Sequence, residues 1–188
     1  MFFYAQKYYY GFYIVIIFLV IIIVSVFYGD ISFDSDIIQS NTFIWPTPNY
    51  KTITCPFGPR KSPTTGASTF HTGIDIGAPE GTNILAITNG KVTYCGFKGA
   101  DGYTIILENK EYQIIYGHCN PTFLVNVGDS VKQGKIIGKV GPKYVYDNPD
   151  NPYHDKFGPT NGATTGPHLH LTIKKNGNLI NPIELLES

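Results

Sequence analysis

The chain has 188 residues, room for one domain with a sizeable core plus a short appendage, and too little for two ordinary domains. Its 20 glycines and 13 prolines, together with 14 tyrosines and 12 phenylalanines, point to a turn-rich all-β protein rather than a helical one. Fourteen basic residues balance fourteen acidic ones, so the chain lacks the basic excess that nucleic acid selects, and no nucleic-acid partner is expected.

Residues 1–11 read as a short cytoplasmic segment, and residues 12–28 as FYIVIIFLVIIIVSVFY, a run without charge, glycine or proline. As a helix rising ~1.5 Å per residue it spans ~25 Å, slightly short of a ~30 Å hydrocarbon core. Tyr8, Tyr9 and Tyr10 before it and Tyr28 at its end are placed to meet the two interfaces. Lys7 precedes the run while Asp30, Asp34 and Asp36 follow, which orients the start of the chain inward and the remainder outward. A cleaved signal peptide is the alternative, but no pair of small residues precedes Gly29 at the spacing a signal peptidase needs. The expectation is a single-pass anchor in the lipid bilayer of the cell membrane, a linker over 29–41, and an extracytoplasmic domain over 42–188.

Trp45-Pro46-Thr47-Pro48 opens the folded part, its prolines holding the chain extended. Short β-type runs follow at 84–88, 91–95, 103–108, 112–118 and 169–173. Asn89-Gly90, Asp101-Gly102 and Asn176-Gly177 read as hairpin turns, because their central residues tolerate positive φ. Helical periodicity is absent except weakly at the extreme C-terminus. The fold class expected is all-β, a compact antiparallel sheet or barrel-like domain. Residues 142–164 break the rhythm with four prolines and no alternation, and are expected to form a loop that walls a cleft and adds little to the core. Cys55, Cys95 and Cys119 are odd in number and show no CxxC spacing, so they read as ordinary sheet cysteines, one disulfide being the alternative.

The chemistry lies in five histidines, at 71, 118, 154, 168 and 170. His168-Leu169-His170 places two imidazoles on one face of a strand, because side chains two apart in a strand point the same way. His71 and Asp75, four apart, put an imidazole at a turn and a carboxylate at a strand start. His118 ends an alternating strand, and His154-Asp155 reads as loop surface. One Asp with two His is the donor set of a catalytic zinc site with an open fourth position. The HExxH helix and its glutamate base are missing, so a histidine would have to move the proton.

These motifs resemble the lysostaphin-type (LytM-like) zinc metalloendopeptidases of bacterial cell-wall metabolism. FGPR stands at 57–60, HTGIDIG at 71–77, YGH at 116–118 and TGPHLH at 165–170, with GDSVKQGKIIGKVG at 128–141 and Asn181-Pro182 near the end. The resemblance runs from Trp45 to the C-terminus. It implies a compact antiparallel β fold with a narrow groove, one zinc ion held by His71, Asp75 and His170, and a peptidoglycan peptide as substrate. It further implies that His118 and His168 act on the attacking water and the transition state. Residues 142–164 depart from the family pattern, being longer than the short turn expected before TGPHLH. Members of the same fold family that lack metal ligands serve as envelope scaffolds or activators, which is the alternative function. A lipoyl- or biotin-carrier hairpin is suggested by residues 125–141, but the only methionine is Met1, so the usual Met-Lys acceptor pair is absent.

Overall fold

The computed structural model describes residues 43–186, and the apolar run at 12–28 and its linker lie outside them. Among the described residues no helix is long and apolar enough to cross a membrane. The architecture is an antiparallel sheet. Strands β1 (Ile53–Cys55), β4 (Ile74–Ile76), β6 (Gly90–Phe97), β7 (Tyr103–Glu108), β8 (Tyr112–Gly117), β9 (Ser130–Val131), β13 (Leu169–Lys175) and β14 (Asn178–Ile180) form the main sheet. It runs β1-β4-β13-β8-β7-β6-β9, with β14 paired to β13 beside that path, so it has two free ends and is an open sheet rather than a barrel. Three two-stranded ribbons flank it: β2 (Gly58–Pro59) with β3 (Phe70–His71), β5 (Asn83–Leu85) with β10 (Ile136–Lys139), and β11 (His154–Asp155) with β12 (Gly158–Pro159). A single helical turn, Ile183–Leu186, closes the described chain.

The strand period decides which side chains make the core. On β13, Leu169, Leu171 and Ile173 are fully buried, as are Ile74 and Ile76 on β4. They pack with Ile105, Leu107, Ile114 and Tyr116 in one cluster, each large apolar side chain contributing ~1.5–3 kcal/mol on burial. The residues between them, Asp75 on β4 and His170 on β13, therefore emerge on the opposite face. Residues 103–108 form a strand over the expected span, and those at 112–118 and 169–173 lie within one or two residues of it. Asn176 (φ 48°) and Gly177 (φ 82°) make the tight turn expected between β13 and β14.

Two expectations need correction. Asn89-Gly90 does not close a hairpin, because β5 pairs with β10 instead of β6. Ile84, Ala86 and Ile87 are all fully buried, so this run is packed on several sides and leaves the sheet rather than alternating within it. Asn89 instead ties neighbouring segments together, its Oδ1 accepting from Gln133 N at 2.8 Å and its carbonyl accepting from Asn109 Nδ2 at 3.2 Å. The second correction concerns residues 142–164, which are built into the fold. Val145, Asn151, Thr160 and Asn161 are buried, and Tyr144 pairs with Thr160 at the base of the excursion. Beyond the one buried valine, it is anchored by the buried amides of Asn151 and Asn161, which is why a hydrophobicity pattern does not show it.

Gly73, between His71 and Asp75, crosses β13 so closely that an added Cβ would lie 2.1 Å from Leu171 O. Gly73→Ala is expected to destabilise the domain by about 3 kcal/mol in denaturant unfolding, since backbone cannot move aside as a side chain can. A loss within about 0.5 kcal/mol would show that the β4–β13 crossing has slack.

Candidate metal and active site

Each functional side chain is delivered by a different feature of the fold. His71 ends β3, whose partner Gly58 follows the carbonyl of Pro56 that accepts the His71 Nδ1–H at 2.8 Å. Asp75 and His170 are direct cross-strand partners in the β4–β13 ladder, so their side chains rise side by side on one face. His168 precedes β13 by one residue and shares that face with His170. His118 follows β8 in a left-handed backbone conformation (φ 54°), sparsely populated for a side chain other than glycine and held by His118 N donating to Asp101 O at 2.7 Å.

The five residues named from the sequence converge. His71 Nε2 lies 3.0 Å from His170 Nδ1 and 3.1 Å from Asp75 Oδ1, and His170 Nδ1 lies 2.9 Å from the same oxygen. His168 Nε2 is 3.4 Å from Asp75 Oδ1, and the His118 ring centre is 4.6 Å from that of His168. His154 is exposed on β11 and is not among the residues lining the groove, while Asp155 pairs with Lys143 at 2.8 Å. The groove has a volume of about 590 Å³, and His71, Asp75, His118, His168 and His170 all line it.

The outer nitrogens set the tautomers. A carbonyl only accepts, so His71, His118 and His168 each carry a proton on Nδ1, facing Pro56 O, Asn161 O (2.7 Å) and Gly166 O (2.9 Å). Their Nε2 atoms are left without a proton and face the groove, those of His71 and His168 toward Asp75 Oδ1. His170 is turned the other way, with Nε2 2.9 Å from Thr172 Oγ1 and Nδ1 directed inward. With neutral rings, two imidazole lone pairs and a carboxylate oxygen face one point, an arrangement stabilised by a cation. Their separations are close to the ~3.3 Å expected between donors that share one zinc at ~2.0–2.1 Å. His71, Asp75 and His170 are thus the residues that could hold such an ion.

The electrostatics follow from this crowding. Burial alone would raise the pKa of Asp75, but His168, His170 and His71, whenever the ring nitrogen facing Oδ1 carries a proton, donate to it and together outweigh burial, holding the carboxyl well below the usual range. Without that proton the same nitrogens are the lone pairs a cation would take. Burial, reinforced by the His168 and His170 rings, pushes His118 well below the ordinary imidazole value, so this ring is neutral at pH 7.

Several site residues carry no signal that was read from the sequence. Thr172 lies two residues beyond His170 and so on the same strand face, a relation the strand period could have revealed. Asn161 and the carbonyl of Pro56 have no pattern to betray them. Arg60, within FGPR, places Nη1 3.4 Å from Asp75 Oδ2 and 3.2 Å from Cys55 Sγ. Cys55 offers a sulfur within 4.8 Å of donor atoms of His71 and Asp75, and all three cysteines are free thiols.

Residues 69–153 match peptidase family M23. The chain is 31% identical over 137 residues to the DD-carboxypeptidase/endopeptidase Mpg of Neisseria meningitidis serogroup B, covering 72% of this chain and 27% of that protein. It thus spans about a quarter of the length of such relatives. The catalytic domain of lysostaphin from Staphylococcus simulans superposes with a TM-score of 0.59 at 28% identity, covering 76% of this chain and 96% of that one. The structure of LytU superposes at 0.53 with 31% identity, covering 76% and 85%. The chain belongs to peptidase family M23, and its fold is that of the lysostaphin catalytic domain.

Thr172→Val keeps the shape of the side chain and removes the oxygen that orients His170. It is expected to weaken divalent-metal affinity 10–100-fold in competition with a chromophoric chelator, whereas unchanged affinity would mean that strand packing alone fixes the ring.

Proposed function

We propose that this chain is a membrane-anchored zinc endopeptidase that hydrolyses peptide bonds in the stems or cross-bridges of peptidoglycan. The observation that carries the reading is the convergence of His71, Asp75 and His170 donor atoms beside two further histidines, His118 and His168, that line the same groove with their Nδ1 protons held by backbone carbonyls. One zinc per chain would be held by His71, Asp75 and His170. Bound there, it supplies Lewis-acid polarisation of the scissile carbonyl and makes water more acidic.

The chain's own residues then have separate tasks. The groove binds an extended peptide against the β4–β13 face. His118 and His168, each donating Nδ1–H to a backbone carbonyl, present unprotonated Nε2 atoms. One takes the proton of the attacking water on Nε2 and returns it to the leaving amine, and the other, entering the cycle with a solvent proton on Nε2, donates to the developing oxyanion and keeps that proton. The depressed pKa of His118 favours its starting as a neutral base. The anchor at 12–28 would hold the domain outside the membrane, within reach of the wall. The alternative of a catalytically silent envelope scaffold or activator draws no support from this groove, in which every ligand and both additional histidines are present.

The test is digestion of purified cell walls by the full chain, with new termini identified by mass spectrometry. Metal analysis is expected to give about one zinc equivalent, lost in His170→Ala. His118→Ala and His168→Ala are expected to keep the zinc and lose hydrolysis by ~10²–10⁴-fold. Intact walls after treatment with zinc-loaded protein would favour the activator instead.

A further inference from the structure

We infer that Asn161 is a positioning residue for His118, fixing its tautomer and its aim into the groove. This rests on the reading of His118 as a group that acts on the reacting atoms. Asn161 is fully buried, and both its main-chain groups and both ends of its side-chain amide are engaged. Its carbonyl accepts His118 Nδ1–H at 2.7 Å, and its N–H donates to Lys143 O at 2.8 Å. Its Oδ1 accepts Tyr103 N–H at 2.8 Å, at the start of β7, and its Nδ2 donates to Cys119 O at 2.9 Å, just past His118. The amide orientation is settled by those partners, since one can only donate and the other only accept.

The surroundings are shaped around this side chain. A Cβ on Gly102 would lie 2.3 Å from both Asn161 O and Oδ1, and one on Gly141 would lie 2.6 Å from Nδ2. Two glycines therefore admit Asn161 between the β6–β7 turn, the residue after His118, and the segment after β10. The side chain ties the backbone just after the histidine to the start of β7 while the carbonyl takes the histidine's ring proton. His118 itself sits in the left-handed region, where backbone geometry alone would not hold it. Asn161 also belongs to the foot of the 142–164 excursion, which contributes only Ala163 to the groove lining, so that segment acts on catalysis chiefly through His118.

The inference is tested in the full-length, zinc-loaded chain with ¹⁵N-labelled histidine and ¹³C-carbonyl-labelled asparagine, assigning the ring by loss of its signals in His118→Gln. Long-range ¹H–¹⁵N spectra are expected to show His118 as the Nδ1–H tautomer, with a scalar coupling across the hydrogen bond to the Asn161 carbonyl. Asn161→Ala, which leaves Tyr103 N–H and Cys119 O without partners, is expected to give mixed tautomers. In the same variant kcat is expected to fall on the order of 10²-fold, with KM and zinc content unchanged. Should that variant not fold, Asn161→Asp, which keeps the acceptor for Tyr103 N–H and replaces the donor to Cys119, carries the comparison. An Nε2–H tautomer in the unaltered protein overturns the inference without any variant, and so does a folded variant with unaltered tautomer and kcat. A correct tautomer in a chain that cuts no wall peptide would instead overturn the proposed activity and leave the positioning intact.

Discussion

The pairing of Asp75 with His170 across β4 and β13 is the constraint on which the site depends. Side chains alternate faces along a strand, so a one-residue slip would send Asp75 and His170 into the core and Ile74, Ile76, Leu169 and Leu171 into the groove. The apolar residues that flank each polar one forbid that slip, because burying a carboxylate and exposing four aliphatic side chains would both be unfavourable. The hydrophobic core and the candidate metal site are thus two faces of one register. Gly73 lets the chain cross β13 closely enough for the register to form.

Having delivered the rings, the fold must orient them. Backbone carbonyls from two loops, Pro56 before β2 and Asn161 and Gly166 before β13, take the Nδ1 protons of His71, His118 and His168, and a threonine hydroxyl two residues along β13 takes the outer nitrogen of His170. None of these partners bears a charge, so they orient the imidazoles without competing electrostatically with Asp75. The sole carboxylate at the centre is shared among His71, His168 and His170 and flanked by Arg60. A divalent cation would relieve the crowding of lone pairs.

Local pattern made the central strands and the site histidines readable. His168 and His170 share a strand face, and leucine between them points to the core, so a period of two is enough to place both rings. Turn chemistry gave Asn176-Gly177 its place, but the same reasoning failed at Asn89-Gly90. There, tertiary packing of Ile84, Ala86 and Ile87 drew β5 onto β10. Residues 142–164 looked like a dispensable loop because their polar side chains carry no hydrophobic period. Their anchoring is by specific amide hydrogen bonds, chiefly those of Asn161 and Asn151, whose partners lie up to 58 residues away. Such long-range polar contacts have no counterpart in the pattern of neighbouring residues. The left-handed backbone at His118 is illegible for the same reason, being imposed by Asp101 and the segment after β10.

The central claim is that register brings His71, Asp75 and His170, and no other ligand of this chain, onto one zinc ion. X-ray absorption at the zinc edge of the loaded, full-length chain measures that ligand set directly. The account predicts a shell of nitrogen and oxygen scatterers alone at ~2.0–2.2 Å, with imidazole features from two rings. A sulfur scatterer at ~2.3 Å would contradict it, placing the Cys55 thiolate on the metal and requiring β1 to be part of the ligand set.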